Sequence, residues 1–324
     1  MSTNKKKVIV LSVGRSDYDR YNPVLEELHK SKKVKPYLFL TRDHFNKKFG
    51  ITSKFINKKF NIIKQKYNRY SFDDNKLGDF TDDLIFLKKI LKKINPDFFI
   101  VLGDRYEMML GPIACLPKKI PVVHFFGGAV TEGSSDELVR HAITKMSHLH
   151  LVALEKYKKR LIQMGEENWR IKNIGVVNLR NIKKVQLLSK KELTKKYNFN
   201  FSEPFALFTY HPTTHELSNL KKGLKSIFNA IKRSKLRLII TYPNSDIMYN
   251  KVIKFIKSHF KNKNNFKIIK NSGFENFINF AKNSEFIIGN SSTGIVDAAT
   301  LKMPAINIGT RQNGKFIPKN VIQT

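Results

Sequence analysis

Short apolar runs, each closing on small or polar residues and each followed by a helical pattern, recur from one end of the chain to the other. A run of this kind reads as a strand buried on both faces, and its alternation with helices is the mark of parallel α/β layers. The first half reads as strand KVIVLSVG, a helix from Asn22 to Lys30, strand VKPYLFL, a polar stretch, a helix from Asp79 to Ile94, strand DFFIVLG, a helix from Tyr106, strand IPVVHFF, a helix from Asp136 to Met146, strand HLHLVAL, a helix from Glu155 to Met164 and a short strand RIKNIG. After a polar, lysine-rich connection the pattern restarts: strand FALFTYHP, a helix from Leu217 to Arg233, strand LRLIITYP, a helix from Met248 to Phe260, strand FKIIK, a helix from Glu275 to Lys282, strand EFIIGN, a helix from Gly294 to Leu301 and strand AINIG. Two successive doubly wound units are the simplest architecture, residues 1–178 and 179–324, with the junction between Asn178 and Lys196.

A chain of 324 residues, 41% hydrophobic and 27% charged, is long enough for two such domains. The formal net charge of +34 invites a nucleic-acid reading. The lysines, however, are spread through KSKKVK, KKILKKI, KYKKR, KKGLK and KFIKSHFKNKNN, whereas an electrostatic footprint clusters on one face or tail. Solvated faces are therefore expected, with no nucleic-acid partner and a general attraction for small anions. The single cysteine, Cys115, excludes an internal disulfide and a multi-cysteine metal site, and its apolar neighbours in GPIACLP predict a buried thiol in a reducing cytoplasm. The N-terminal apolar run is short and is followed by no small-residue cleavage site. No segment approaches the roughly 18 uninterrupted apolar residues of a membrane span.

In doubly wound sheets ligands bind beyond the carboxyl ends of the strands. The strand ends here carry Gly14-Arg15-Ser16-Asp17, Gly103-Asp104-Arg105, His124 to Glu132, His211-Pro212-Thr213-Thr214, Pro243-Asn244-Ser245-Asp246 and Gly289-Asn290-Ser291-Ser292-Thr293-Gly294. Each alone is as well explained by a turn or a helix cap; together, on both halves, they imply a cleft between domains. GNSSTG lets backbone N–H groups and hydroxyls approach an anion at a helix N-terminus, or it simply caps that helix. Asp297 either accepts from ribose hydroxyls or favours the helix dipole. The stretch from Val122 to His150 gathers Glu132, Asp136, Glu137, His124, His141, His148 and His150 in a chain otherwise poor in carboxylates. It is a functional site, or a helix N-terminus with acidic first-turn residues. No convincing set of metal ligands is found, and His148 and His150 read as structural.

The series VLGDRYEM, TEGSSDELVRHAITKMSHLH, YKKRLIQMGE, YHPTT, YPNSD, GNSSTG and INIGTRQNGK resembles, in order and spacing over nearly the whole chain, the hydrolysing UDP-N-acetylglucosamine 2-epimerases. These include bacterial enzymes that feed sialic and legionaminic acid synthesis. The resemblance implies a GT-B architecture, two Rossmann-like domains facing a cleft that holds the sugar nucleotide, with no cofactor and no metal needed for the chemistry. It implies that Asp104, Asp136 and His211 serve the proton transfers at the sugar. It also implies that Arg15, Asn244, Ser291, Ser292, Asp297 and Arg311 hold nucleotide and phosphate, and it leaves a homo-oligomer open.

Three departures from the family pattern stand out. Where the family commonly has His-Ile-(His or Glu)-Gly-Gly-Glu, this chain has His124-Phe125-Phe126-Gly127-Gly128-Ala129. Glu132 is the candidate to replace the lost acid; an altered substrate or a lost reaction are the alternatives. Asp297 stands in place of the usual Glu. The chain stops at Thr324, where family members continue for several more helices, so those C-terminal helices are expected to be missing. The expected activity is hydrolysing 2-epimerisation of UDP-N-acetylglucosamine or a related N-acetylated amino sugar nucleotide. A catalytically impaired sugar-nucleotide-binding homologue and a GT-B glycosyltransferase are the competing readings.

Overall fold

The computed structural model describes residues 5–47, 51–65, 76–132, 135–177, 179–213, 219–243, 248–260 and 265–324. Asn178, Thr214, Asn244, Ser245 and Asp246 therefore lie outside the described residues, as do the side chain of Arg15 and the first turn expected for the helix at Leu217. The chain divides into two compact units, Met1–Ala129 with Asp136–Asn181, and Val130–Ser135 with Ile182–Thr324. The second of these thus includes a short segment from within the first half of the sequence.

The first unit is built on a parallel sheet of β1 (Lys6–Ser12), β2 (Val34–Leu40), β3 (Asn61–Lys64), β4 (Phe98–Leu102), β5 (Val122–Phe125), β6 (Leu149–Val152) and β7 (Ile171–Asn173), in the order β3-β2-β1-β4-β5-β6-β7. Its helices are α1 (Arg15–Lys30), α2 (Lys76–Ile94), α3 (Leu110–Cys115), α4 (Asp136–Lys145) and α5 (Glu155–Gln163), while α6 (Leu179–Lys184) runs from the first unit into the second. Val8 to Leu11 and Phe99 to Leu102 are buried, as strands covered on both faces require. Cys115 is fully buried, the inert thiol expected from its neighbours.

Helix α1 begins seven residues before the expected start, and Pro23 lies inside it. The Asp17 carboxylate makes the early start possible, accepting the N–H groups of Val13 at 2.9 Å and Gly14 at 3.0 Å. Proline lacks the N–H that would bond the carbonyl four residues earlier. That carbonyl, Asp19 O, instead accepts from the Asn181 side-chain amide at 3.1 Å.

The second unit repeats the plan. Strands β8 (Ala206–Thr209), β9 (Leu238–Thr241), β10 (Phe266–Ile269), β11 (Phe286–Gly289), β12 (Ala305–Asn307) and β13 (Val321–Gln323) form a parallel sheet in the order β10-β9-β8-β11-β12-β13. Helices α7 (Lys190–Tyr197), α8 (Leu220–Arg233), α9 (Tyr249–His259), α10 (Gly273–Asn283) and α11 (Val296–Leu301) accompany them. Helix α7 occupies the lysine-rich connection that the sequence pattern left without structure. It opens on a capping box in which the Glu192 N–H donates to Ser189 Oγ at 3.3 Å and the Glu192 carboxylate accepts from the Ser189 N–H at 2.7 Å. In both sheets the strand order reverses at one place, between β1 and β4 in the first unit and between β8 and β11 in the second. A ligand of a doubly wound sheet belongs at such a switch point.

Candidate active site

At the β4 end of the first switch point, Gly103 turns the chain with φ of 73°, and Asp104 follows. One Asp104 oxygen pairs with the guanidinium of Arg140. Arg140 rises from α4, one helical turn after Asp136, and its side chain is 1% exposed while that of Asp104 is 31% exposed. The buried arginine thus holds one carboxylate oxygen, and the acid still reaches the surface. Arg140 Nη1 donates in addition to the Ala129 carbonyl at 2.8 Å. Asp104 and residue 129 are accordingly gripped by the same cation, and Asp136, half-buried, starts the helix that carries it. Next to Asp104, Arg105 pairs with Asp43 at 2.9 Å and with Glu107 at 3.1 Å, so its charge is spent on local carboxylates.

His124 on β5 holds the loop before Asp104. Its Nε2 lies 2.8 Å from Gly103 O and its Nδ1 3.1 Å from Thr144 Oγ1. A carbonyl only accepts, so Nε2 carries the proton and Nδ1 accepts from the threonine hydroxyl. Burial pushes the imidazole from 6.5 down to about 4, which keeps it neutral and structural near pH 7. His150, on the neighbouring strand, is likewise buried and meets Glu166 at 3.1 Å, an internal pair that Lys145 also joins at 2.7 Å. These two histidines of the acid-rich stretch hold the fold, the structural part that the sequence suggests for His150.

The departure at 126–129 has a defined shape. Phe126 has φ of 63°, a left-handed conformation that bulky side chains rarely adopt, and its ring packs edge-on to Phe125 with centroids 6.2 Å apart. Gly128 has φ of 81°, and a Cβ there would lie 2.6 Å from Tyr157 O, so only glycine fits. Its carbonyl accepts from Arg160 at 2.7 Å. Ala129 packs against the small apolar cluster of Val152, Tyr157 and Leu161. Glu132 is exposed and belongs to the second unit, where its N–H donates to Asn313 O at 3.2 Å and its Oε1 lies close to Gly314.

In the second unit His211 and Asn290 face each other across the ends of β8 and β11. The Asn290 side-chain amide bonds both main-chain groups of His211, and the Asn290 carbonyl accepts from Arg311 Nη1 at 3.2 Å and Gln312 Nε2 at 2.8 Å. Ser291 accepts from the Thr293 N–H at 3.4 Å and the Thr293 hydroxyl at 3.0 Å, a local cap on the 3-10 turn Ser292–Gly294. Asp297 is buried in the first turn of α11. The structure therefore brings His211, Ser291 and Arg311 together around Asn290, and ties Asp104 through Arg140 to the helix that Asp136 starts. Neither Arg140 nor Asn290 was singled out by the sequence. The spacing of Arg140 four residues after Asp136 was the one available signal for the first. Among the described residues no group of three or more His, Cys, Asp or Glu side chains comes together to hold a metal, and no helix is long and apolar enough to cross a membrane.

Two Rossmann-like units, each with polar groups massed at its switch point, define an α/β protein of the GT-B type. The crystal structure of the UDP-GlcNAc 2-epimerase from Neisseria meningitidis bound to UDP-GlcNAc matches the fold with a TM-score of 0.79 at 20% identity, over 95% of this chain and 84% of that one. The family model for UDP-N-acetylglucosamine 2-epimerase matches residues 26–323, and the chain belongs to that family. The GDP/UDP-N,N'-diacetylbacillosamine 2-epimerase (hydrolyzing) of Campylobacter jejuni is 34% identical over 327 residues, 99% of this chain and 85% of that protein. The UDP-N,N'-diacetylbacillosamine 2-epimerase (hydrolyzing) of Legionella pneumophila is 32% identical over 323 residues, 98% of this chain and 84% of that protein.

Proposed function

We propose that this protein is a hydrolysing sugar-nucleotide 2-epimerase acting on UDP-N-acetylglucosamine or a related N-acetylated amino sugar nucleotide. The observation that carries the reading is the Asp104 carboxylate, fixed by the buried Arg140 at the switch point of the first sheet and itself only half-buried. The names of the two relatives above support a 2,4-diacetamido sugar as the related substrate. A carboxylate takes the proton from sugar C2 as the C1–O bond breaks. The electron pair of that C–O bond leaves with UDP, and a C1–C2 double bond forms. Water then adds hydroxyl at C1 and a proton at C2 on the opposite face, giving the free 2-epimer.

Asp104, Asp136 and His211 are the groups we assign to these proton transfers, since carboxylates and imidazole are the side chains able to give and take protons near neutral pH. Glu132 is proposed to supply the acid that Ala129 lacks. Arg15, Asn244, Ser291, Ser292, Asp297 and Arg311 are proposed to hold the nucleotide, the cations and hydroxyls offsetting the charge of the departing diphosphate. The reducing compartment suggested by a lone buried thiol is the cytoplasm.

Asp104→Asn, Asp136→Asn and His211→Ala should each slow UDP release from the sugar nucleotide by about 10²–10⁴-fold while the proteins remain folded. A colorimetric assay for released UDP with circular dichroism on the same samples checks this. Turnover like the parent's in all three variants sinks the assignment.

A further inference from the structure

Asn290 follows β11 and is 1% exposed. Its amide oxygen accepts the His211 N–H at 2.7 Å, and its amide nitrogen donates to the His211 carbonyl at 2.8 Å. One side chain thus closes both main-chain groups of His211, as a neighbouring strand would. The main-chain pairing of β8 with β11 ends at Thr209 and Gly289, and the Asn290 amide carries the junction two residues further along β8. Such a close approach requires Gly289. Its φ is 141°, and a Cβ there would lie 1.9 Å from Thr209 O. The Asn290 N–H then donates to that same Thr209 carbonyl at 3.2 Å.

Pro212 restricts His211 further, because the residue before a proline is pushed towards extended backbone. The N–H, the carbonyl and the backbone region of His211 are thus all fixed, and burial of the residue confines its side chain. The Asn290 carbonyl meanwhile accepts from Arg311 Nη1 and Gln312 Nε2. A single residue therefore ties the end of β8 to the turn after β12.

We propose that Asn290 is a positioning residue for the reaction. It fixes the main chain of His211, and with its carbonyl steadies the Arg311 guanidinium, so that the imidazole meets the sugar nucleotide in one orientation. The inference rests on the reading that His211 takes part in the chemistry. It assigns Asn290 no contact with the substrate.

The test uses the full chain with Asn290→Ala, which removes both hydrogen bonds, and Asn290→Asp, which keeps the size and the acceptor but loses the amide donor. Four quantities are measured: kcat and KM for UDP release, UDP affinity by calorimetry, and hydrogen exchange at the His211 amide. Misplacement of a catalytic group by an ångström costs on the order of 10²-fold, so kcat should fall by about 10–100-fold in the Ala variant. KM and UDP affinity should stay near the parent's. The His211 amide should lose protection while Leu207 and Phe208 keep theirs. In the Ala variant unchanged kcat, a loss confined to KM or unchanged protection at His211 overturns the proposal, as does unfolding of both variants; the Asp variant, which keeps the acceptor for the His211 N–H, should keep more of that protection than the Ala variant. If the parent itself releases no UDP from any sugar nucleotide, the functional reading has failed; protection at the His211 amide in the two variants then decides alone whether Asn290 holds it.

Discussion

Position 129 is a methyl group where the family pattern places a carboxylate, and the structure shows what stands around it. The Ala129 carbonyl and the Asp104 carboxylate share the Arg140 guanidinium. The methyl itself packs against Val152, Tyr157 and Leu161, so a glutamate here would extend beyond that apolar cluster from a backbone that Arg140 already ties to Asp104, and would add a second proton-transferring group. Ala129→Glu should therefore raise the rate of UDP release by at least about tenfold, a modest part of what a positioned acid contributes. Glu132 tells the complementary story. Its main chain is bound to Asn313, beside Arg311 and Gln312, so its exposed carboxylate stands with the second unit's groups. If it supplies the missing acid, Glu132→Gln should lower the parent's rate by about tenfold or more. Both variants are read in one UDP-release assay with the parent. A Glu132→Gln protein as fast as the parent reduces Glu132 to a loop residue, and an Ala129→Glu protein no faster than the parent means that the methyl is not the limiting defect.

Among the elements, the junction of β8 and β11 is the least forgiving. Gly289 sits where any side chain would overlap the Thr209 carbonyl, and its backbone conformation is one that L side chains rarely adopt. Gly289→Ala should destabilise the second unit by roughly 3 kcal/mol or more, the range reserved for steric conflict at a special backbone position. Thermal unfolding followed by circular dichroism measures it, and an unchanged transition contradicts the geometry. Most strands of both sheets were legible in the sequence, because strands buried on both faces read as unbroken apolar runs. What escaped did so for physical reasons. Strand β3, Asn61–Lys64, is short and lies at the sheet edge with exposed ends, so it carries little apolar signal. The first turns of α1 precede a proline that ordinarily marks a helix start, and they are compensated by Asn181 far along the chain. Helix α7 was legible in its Ser189 and Glu192 capping pair but hidden by the surrounding lysines. For the candidate site, small polar residues at strand ends were visible as a class. Arg140 was not, and Asn290 was visible only as one polar residue of GNSSTG, because their importance lies in what they reach across neighbouring strands and loops, which no spacing records.

At the scale of the whole molecule, the repeated plan divides the proposed chemistry between two sheets of the same topology. One switch point presents Asp104 beside the helix that starts at Asp136, and the other presents His211 with the Ser291 turn and Arg311. We propose that together they serve removal and return of a proton at C2, which needs acids and bases as well as a hold on the departing diphosphate. That is the central claim, and isotope exchange tests it directly. The protein is incubated in D₂O with UDP-N-acetylglucosamine and, separately, with its 2,4-diacetamido counterpart, and the sugar protons are followed by NMR. Free sugar of inverted C2 configuration, carrying deuterium at C2 and formed in step with UDP, is the expected result for at least one of the two. UDP released with a sugar that keeps its C2 proton and configuration, or no UDP from either, would contradict the account.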